Sequence, residues 1–280
     1  MKRTAVLLGA LCVALAAAPA RLARAEEAPA PTAEQILDAY VDATGGKEAY
    51  ARIQNRVTRG RMEITGQDIE LRVTIWAARP NKTYLTIDSE VTGPIERGTL
   101  GDLAWENSAM MGPQIKQGQE KADLLREANF DRWPAWRDVY EKVDLAGIEP
   151  IKERPAYKIV ATPKDGDAET LWFDRETKLL VRQDQTLDNA MGRIPVCSSF
   201  EDYRKVDGIL VPFGATTEMM GQTLALIGES VEHNVELPPD RFEPPAAIRE
   251  RLKEAAKPAE KPSAEKPPAE KSPAEKPPDP

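Results

Sequence analysis

Histidine and cysteine are nearly absent from the sequence, and their scarcity excludes several kinds of site. His233 is the single histidine among 280 residues, and Cys12 and Cys197 are the only cysteines. One imidazole cannot form a multi-histidine zinc site, and it leaves a serine or cysteine nucleophile with one possible base. We therefore predict no metal site, no cofactor and no catalytic residue, and hence a protein that is not an enzyme.

Acidic residues are plentiful, so one catalytic alternative stays open. Asp and Glu together number 46, and a pair of carboxyl groups can act as acid and base in hydrolysis. The adjacent Glu201 and Asp202 make a poor pair, because neighbouring residues of a strand point to opposite faces. A carboxylate-based hydrolase would instead require two acids with unusual pKa values within one concavity.

Long apolar runs are also scarce, and the one near the N-terminus has the features of a secretion signal. Residues 5–18 are apolar and follow Lys2 and Arg3, which is the order of a signal peptide. The run is shorter than the roughly 20 residues of a membrane-spanning helix. We predict cleavage after Ala25 and export across the inner membrane to the periplasm; a retained anchor or a lipid on Cys12 are the alternatives.

The balance of charge argues against nucleic acid as a partner. The full chain has a formal net charge of −8, and the predicted signal peptide holds four basic and no acidic residues, so its loss leaves about −12. Nucleic-acid phosphates require a basic surface, so we predict no nucleic-acid binding. Without Cys12, Cys197 is the only thiol and no intramolecular disulfide can form. Stability must then come from an apolar core.

A helix is predicted at the start of the folded region. Thr32 and Gln35 have the spacing of a capping box. Apolar residues then recur at helical spacing until Gly45 and Gly46, which can adopt the left-handed conformation that ends a helix. A second helical turn is predicted over Lys47–Ile53.

A further helix is predicted in the middle of the chain, followed by an aromatic-rich segment. The helical pattern covers Gln119–Asn129, and three large aromatic residues lie between Phe130 and Trp136. A plug or lid over an apolar space would have this composition, and its Trp residues suit a transient contact with a membrane surface. The predicted lid residues are Leu124, Leu125, Trp133 and Trp136.

From Arg56 onward the apolar period changes from helical to two. In Ile69–Trp76 every second residue is apolar, as in a half-buried strand. Short turns join most of the strands, which requires antiparallel neighbours. We predict a mainly β (α+β) fold of ten or eleven strands, beginning at Arg56 and continuing with Ile69–Trp76, Thr83–Asp88, a pair within Arg97–Asn107, Tyr157–Thr162, Glu169–Asp174, Leu179–Asp184, Ile194–Arg204, Ile209–Glu218 and Gln222–Asn234.

One hairpin is especially well marked. The stretch SSFEDYRKVDGILVPFGATTEM, which begins at Ser198, has Asp207-Gly208 between two β-rich runs. Asp-Gly in this position is the strongest short-range signal for a hairpin turn. We therefore predict a tight turn at Val206-Asp207-Gly208.

Three stretches carry a resemblance to a known family. They are TGGKEAYARI, LWFDRETKLLVRQDQ, and FEDYRKVDGILVPFGATTEM running on to VEHNVELPPDRFEPP. Over about Thr32–Pro245 the chain resembles the outer-membrane lipoprotein-sorting family, the LolA-like periplasmic lipoprotein carriers. The resemblance implies a single curved antiparallel sheet that forms an unclosed β-barrel with helices as a lid.

The resemblance also implies a function. It is that of a periplasmic, monomeric carrier or sensor that binds a lipid, a lipoprotein acyl chain or another apolar ligand; an envelope-protein interaction module of the same fold is the alternative. Such a cavity needs no catalytic group, because each buried methylene stabilises binding by about 0.8 kcal/mol. The predicted ligand-binding residues, for each of which ordinary core packing is the alternative, are Leu71, Val73, Ile75, Leu85, Ile87, Leu171, Phe173, Ile209 and Val211.

The family's lid-contacting arginine has three candidates in this sequence. Arg59, Arg61 and Arg72 all lie in the first strands of the predicted sheet.

The organisation of the chain follows from its composition. We predict a signal peptide over residues 1–25, a linker over 26–31, one domain over 32–245 and a tail over 246–280. Within the tail, Ala-Glu-Lys-Pro recurs with a period of five from Ala259, with one Ser for Pro. A segment so poor in bulky apolar residues cannot offset the entropy of ordering, so we predict disorder there.

Overall fold

Thirteen antiparallel strands form one sheet in the computed structural model, which describes residues 30–67, 69–89, 93–189 and 192–256. All the elements belong to one unit that begins at Thr32. The predicted signal peptide, most of the linker and the period-five repeats lie outside the described residues.

The elements follow the periodicity of the sequence closely. The helices are α1 Ala33–Ala43, α2 Gly46–Arg52, α3 Gly118–Ala128, α4 Trp136–Val139 and α5 Ala246–Ala255. The strands are β1 Asn55–Ile64, β2 Glu70–Ala78, β3 Lys82–Asp88, β4 Ile95–Leu100, β5 Leu103–Ser108, β6 Gly112–Ile115, β7 Tyr140–Ile151, β8 Arg154–Pro163, β9 Glu169–Asp174, β10 Leu180–Asn189, β11 Gly192–Val206, β12 Ile209–Met219 and β13 Gln222–His233.

The sequence pattern missed β6 and β7, which are the two edge strands of the sheet. β6 has only four residues, too few for an alternating pattern to be recognised. β7 has two register shifts against β8, and Gly147 and Pro150 interrupt its apolar alternation. The count of ten or eleven strands was therefore too low.

The sheet curls so strongly that its two halves face each other across α3. The strand order is β6-β5-β4-β3-β2-β1-β13-β12-β11-β10-β9-β8-β7, and the edge strands do not pair with each other. Helix α3 contacts β4 and β5 on one side and β10 on the other, although seven places separate β4 from β10 in that order. The fold is thus an unclosed β-barrel with α1 and α3 along its concave face, and the predicted fold class is confirmed.

Helix α1 covers one half of the concave face. It begins with the predicted capping box, in which Thr32 Oγ1 accepts from the backbone N–H of Gln35 while the Gln35 side chain accepts from the backbone N–H of Thr32. Its apolar side packs against β8 and β9, where Leu37 of the helix and Phe173 of the sheet are both completely buried. This contact forms the largest part of the core.

The predicted hairpin turn is confirmed. Pairing of β11 with β12 extends to Val206 and Ile209, which leaves Asp207 and Gly208 as a two-residue turn with φ of +49° and +91°. Two left-handed residues give the turn whose twist matches that of the flanking strands. Gly45, at φ +136°, approaches this turn so closely that a Cβ atom there would lie 2.7 Å from the carbonyl oxygen of Gly208.

Residues 246–255 form α5, so the domain does not end at Pro245 as the sequence analysis predicted. Ile248 and Leu252, one helical turn apart, pack against Tyr84 and Trp105 on the convex face of the sheet. Two apolar residues among charged ones give a weak helical pattern, and their partners lie far away in the sequence. The boundary was therefore placed too early.

The packing of α5 can be tested through Ile248, which is completely buried. We expect Ile248→Ala to lower the free energy of unfolding by about 2–5 kcal/mol, because it removes buried methylene groups and leaves a cavity. Glu250→Ala, an exposed position on the same helix, should change it by less than about 0.5 kcal/mol. Urea unfolding measures both; equal effects of the two substitutions would contradict the packing of α5 on the sheet.

Candidate functional site

The concave face of the sheet holds a central cavity of about 420 Å³. This volume lies within the roughly 300–1,000 Å³ of small-molecule sites. Its apolar and aromatic lining residues are Tyr40, Ile53, Ile75, Ala77, Ala128, Phe130, Trp133, Leu180, Phe200, Ile209, Leu210, Val211 and Pro212. Its polar lining residues are Tyr50, Arg56, Thr83, Glu127, Asn129, Arg132, Gln183, Gln185, Ser198, Tyr203 and His233.

Residues 129–135, which we call the strap, connect α3 to α4 and close one side of the central cavity. Phe130 and Trp133 of the strap line it, and the Trp133 ring stands edge-on to the ring of Tyr40 with 5.0 Å between centroids. The backbone N–H of Phe130 donates to the carbonyl oxygen of Pro80 at 2.9 Å. The strap is therefore hydrogen-bonded to the β2–β3 turn.

Asp131 attaches the strap to the half of the sheet that contains β2. Its carboxylate accepts a hydrogen bond from Arg79, which follows β2. The same guanidinium donates to the carbonyl oxygens of Ile53 at 2.8 Å and Tyr50 at 2.9 Å, and it lies over the ring of Phe130 at 5.2 Å. Arg79 thus joins the strap, α2 and the sheet.

Arg132, the next residue, attaches the strap to the other half of the sheet through a buried network. Its Nη2 donates to Glu169 Oε1 at 2.7 Å and to Tyr140 Oη at 2.9 Å. Gln183 Nε2 donates to Glu169 Oε2 at 2.6 Å, and the Tyr140 hydroxyl also donates to Glu169. The Glu169 side chain has no exposed surface, and both of its oxygens accept hydrogen bonds, as a buried carboxylate requires.

The network keeps Glu169 ionised. Burial alone would raise the pKa of Glu169, but the charge of Arg132 and the hydrogen bond from Tyr140 outweigh it, so the pKa lies below its ordinary value. Burial likewise acts to lower the pKa of Arg132, and the interactions with Tyr140 and Glu169 raise it instead. Arg132 and Glu169 are therefore both charged at neutral pH, and their ion pair attaches the strap to this half of the sheet.

The structure brings some of the predicted ligand-binding residues to the central cavity and not others. Ile75, Ile209 and Val211 line it. Leu71, Val73, Leu85 and Ile87 share the face of Ile75 by register and alternation but lie outside the lining. Leu171 and Phe173 are completely buried beneath α1, where they belong to the core.

The predicted lid residues are likewise divided. Trp133 lines the central cavity, whereas Trp136 is buried against α1, with its Nε1 donating to Asp38 Oδ1 at 3.0 Å. Leu124 lines a separate cavity of about 70 Å³ beneath α3, and Leu125 lines neither cavity. The strap covers the site together with the end of α3, which contributes Glu127 and Ala128 to the lining.

None of the three arginine candidates contacts the strap. Arg59 and Arg61 alternate with Arg56 of the cavity and so lie on the convex face, where Arg59 pairs with Glu232 at 2.6 Å. Arg72 lies on that same face, opposite Arg61. The arginine that reaches the strap from the sheet is Arg79, which lies just beyond the end of β2 and so outside the alternating pattern.

Sequence reasoning missed the polar side of the cavity. Arg56, Tyr203 and Gln183 line it beside the apolar residues. Ala77 lies on the same face of β2 as Ile75, and Arg56 lies opposite Ala77 in the β1–β2 pairing. With that register known, Arg56 would have been predicted to face the cavity. The register was not known from the sequence, and an arginine in a strand is ordinarily placed toward solvent.

The remaining histidine and thiol do not form a nucleophilic site. His233 has a side chain only 2% exposed, and its Nδ1 lies 3.2 Å from Asp207 Oδ2. Burial lowers the pKa of His233 and raises the pKa of Cys197 to about 11, so the thiol stays protonated at neutral pH and is not a reactive thiolate. Within the described residues no cluster of three or more histidine, cysteine or acidic side chains could hold a metal ion.

None of the five helices in the described ranges is both long enough and apolar enough to cross a bilayer.

Solved structures with the same fold include two members of named families. A LolA superfamily protein from Nitrosomonas europaea matches with a TM-score of 0.52 at 16% sequence identity, over 77% of this chain and 99% of that chain. A DUF1329 family protein from Desulfovibrio piger matches with a TM-score of 0.52 at 15% identity, over 75% and 97% of the two chains. The chain has a LolA-like fold. No protein-family model matches the sequence, and no curated protein matches it.

The buried network makes a prediction for stability and its pH dependence. Glu169→Gln should lower the free energy of unfolding by about 3–5 kcal/mol, because it leaves the Arg132 charge buried without a partner. Since the folded-state pKa of Glu169 lies below its ordinary value of 4.5, its contribution is present above that pH and is lost as the pH falls through the lower folded-state value. The variant should therefore lose less stability than the wild type on acidification below about pH 4.5.

Urea unfolding at a series of pH values measures both effects. Asp202→Asn is the control, because Asp202 and Arg204 form an ion pair that is half exposed and should contribute at most about 1 kcal/mol. The prediction is wrong if Glu169→Gln is no more harmful than this control, or if its acid dependence equals that of the wild type.

Proposed function

We propose that the protein is a non-enzymatic carrier or sensor of the bacterial periplasm that binds a lipid, a lipoprotein acyl chain or a similar apolar ligand. The observation that carries this proposal is the central cavity beneath the strap, walled by apolar side chains from both halves of the sheet. A preformed concave site of this size, whose walls combine apolar side chains with convergent polar groups, is the ordinary form of a small-molecule site.

The chemistry of the walls supports an acyl chain as the ligand. Ile75, Ile209 and Phe200 offer aliphatic and aromatic surface to the cavity, and each methylene removed from water contributes about 0.8 kcal/mol. A chain of a dozen methylene groups would by this measure gain about 10 kcal/mol before the costs of association. No bond needs to be made or broken in such a site.

A carboxylate-based hydrolase fits this cavity less well. Glu127 is the one acidic residue of the described lining, and it accepts a hydrogen bond from Gln185. Glu169, the carboxylate of the buried strap network, is held charged by Arg132 and has no exposed surface. The small cavity beneath α3 has several acids but a volume of about 70 Å³, well below the roughly 300 Å³ of small-molecule sites.

The proposal is tested by the pair Ser198→Phe and Ser199→Phe. Ser198 lines the cavity, and Ser199 is the next residue of β11, on the opposite face. A phenyl ring at position 198 should occupy part of the cavity and weaken binding of an acyl chain by roughly tenfold or more, whereas the same ring at 199 should leave binding unchanged. Native mass spectrometry of protein purified from its own envelope, followed by extraction and lipid analysis, gives the bound mass.

The outcomes separate the candidate functions. Co-purified acyl lipid that is lost in Ser198→Phe and kept in Ser199→Phe supports the proposal. A folded wild-type protein that carries no lipid and takes up none from added palmitate or hexadecanol contradicts it. Stable complexes of such a lipid-free protein with an envelope protein would favour the interaction module instead.

A further inference from the structure

Of the two arginines that line the central cavity, Arg56 and Arg132, only Arg56 is unpaired within the described residues. Arg132 is paired with Glu169 and Arg79 with Asp131, but Arg56 has no hydrogen bond from its side chain and no ion pair within the described residues, and it lines the central cavity. Burial lowers the pKa of Arg56, yet an arginine stays protonated at neutral pH. A full positive charge is therefore directed into the cavity without a counter-ion.

The surroundings of Arg56 leave that charge uncompensated. In the sheet Arg56 lies between Ala77 of β2 and His233 of β13. Its nearest titratable neighbours are Tyr40, Tyr50 and His233, none of which carries a negative charge at neutral pH. Arg56 is only partly exposed, and a charge withdrawn from water without a partner is costly, so the position favours binding of an anion.

Carboxylates of the site do not supply that anion. Glu127 also lines the cavity, but it is exposed, accepts from Gln185 Nε2 at 3.2 Å and forms no ion pair with Arg56. Asp207 lies within reach of His233, at 3.2 Å from its Nδ1, and is 62% exposed. The described residues thus provide no partner for the guanidinium.

We propose that the ligand is a single-chain amphiphile with an anionic head group, a carboxylate or phosphate monoester, whose acid group pairs with Arg56 while its chain lies along Ile75, Phe200 and Val211. This inference rests on the proposed function, because it assigns the head group of the same ligand. The planar guanidinium donates two parallel hydrogen bonds to a carboxylate or phosphate. A cavity of about 420 Å³ is at the lower end of small-molecule sites, which favours one chain over several.

Two tyrosines of the cavity wall, Tyr50 and Tyr203, are held in place by hydrogen bonds from their own hydroxyl groups. Tyr50 donates to Thr44 Oγ1 at 2.9 Å and Tyr203 donates to the carbonyl oxygen of Leu180 at 2.8 Å, so both rings are held in place at the cavity wall. Because these aromatic rings are already fixed beside the cation, the protein does not need to reorganise when a head group binds there.

The test compares two probes that differ only in the head group. Palmitate and hexadecanol have chains of equal length, and isothermal titration of the protein with each, below their aggregation concentrations, gives the two affinities. Palmitate should bind the wild type roughly 10- to 100-fold more tightly than hexadecanol, which is the range for a charge-assisted hydrogen-bonded pair. Dodecyl phosphate should share the preference, and acetate, which lacks a chain, should bind at least 100-fold more weakly than palmitate.

Arg56→Gln should remove the preference. We expect its affinity for palmitate to fall roughly 10- to 100-fold and its affinity for hexadecanol to stay within about twofold of the wild type. Arg59→Gln is the matched control, because Arg59 lies three residues away on the same strand and pairs with Glu232 on the convex face; both affinities should be unchanged in it. Thermal unfolding of each variant establishes that the comparison is made on folded protein.

The results distinguish the assignment of the head group to Arg56 from the proposed function on which it rests. Equal wild-type affinity for palmitate and hexadecanol overturns the assignment of Arg56 and leaves the apolar cavity in place, and it does so even if Arg56→Gln does not fold. Binding of acetate as tight as that of palmitate overturns the amphiphile in favour of a small-anion site. Failure of every probe to bind overturns the proposed function itself.

Discussion

The ion pair between Arg132 and Glu169 is the interaction on which the concave face depends. The sheet is not closed, so no ladder of backbone hydrogen bonds joins β6 to β7, and the chain must cross between these edges through α3, the strap and α4. Arg132 fixes the strap to β9 from inside the core, and Tyr140 and Gln183 donate further hydrogen bonds to the carboxylate of Glu169. A buried pair is weak evidence for stability in general, but here it determines the position of a segment that has little regular structure of its own.

The charges on the strap also explain why the cavity is not filled. If the strap were held by apolar packing alone, Phe130 and Trp133 would gain most by moving down onto Ile75 and Val211, since close packing is the favoured state of apolar side chains. Asp131 and Arg132 are instead bound by partners on opposite halves of the sheet. The strap is held between these partners. Because hydrogen bonds have fixed directions, they keep the strap at a distance from the sheet and preserve the space beneath it.

Sequence alone predicted the parts of this structure whose signals are local. The capping box at Thr32, the Asp207-Gly208 turn and the alternation of β2 each lie within a few residues, and each was found where it was expected. The apolar face of β2 and β3 was also predicted, but alternation could not tell residues beneath a helix, such as Phe173, from residues beside open space, such as Ile75.

The unpredicted parts depend on partners far away in the chain. Helix α5 is held by Tyr84 and Trp105, and Arg56 is placed inside the cavity by a register that involves both β2 and β13. Arg79 lies in a turn, where no periodic pattern indicates the direction of a side chain. Each of these positions is decided by tertiary contact, which outweighs local preference.

The pairing of β1 with β13 has a consequence for how the chain acquires this shape. Every other pair of neighbouring strands is formed by segments consecutive in sequence, but the first strand and the last meet in the middle of the sheet, with Arg56 opposite His233. While the chain is being made, β1 can pair with β2 at once and has a bare edge on its other side until the last strand has emerged. Non-local pairing of this kind is slow, and a bare edge invites association with other chains. The middle of the sheet can therefore be completed only after the last strand is available, so the two halves of the barrel are joined late in folding.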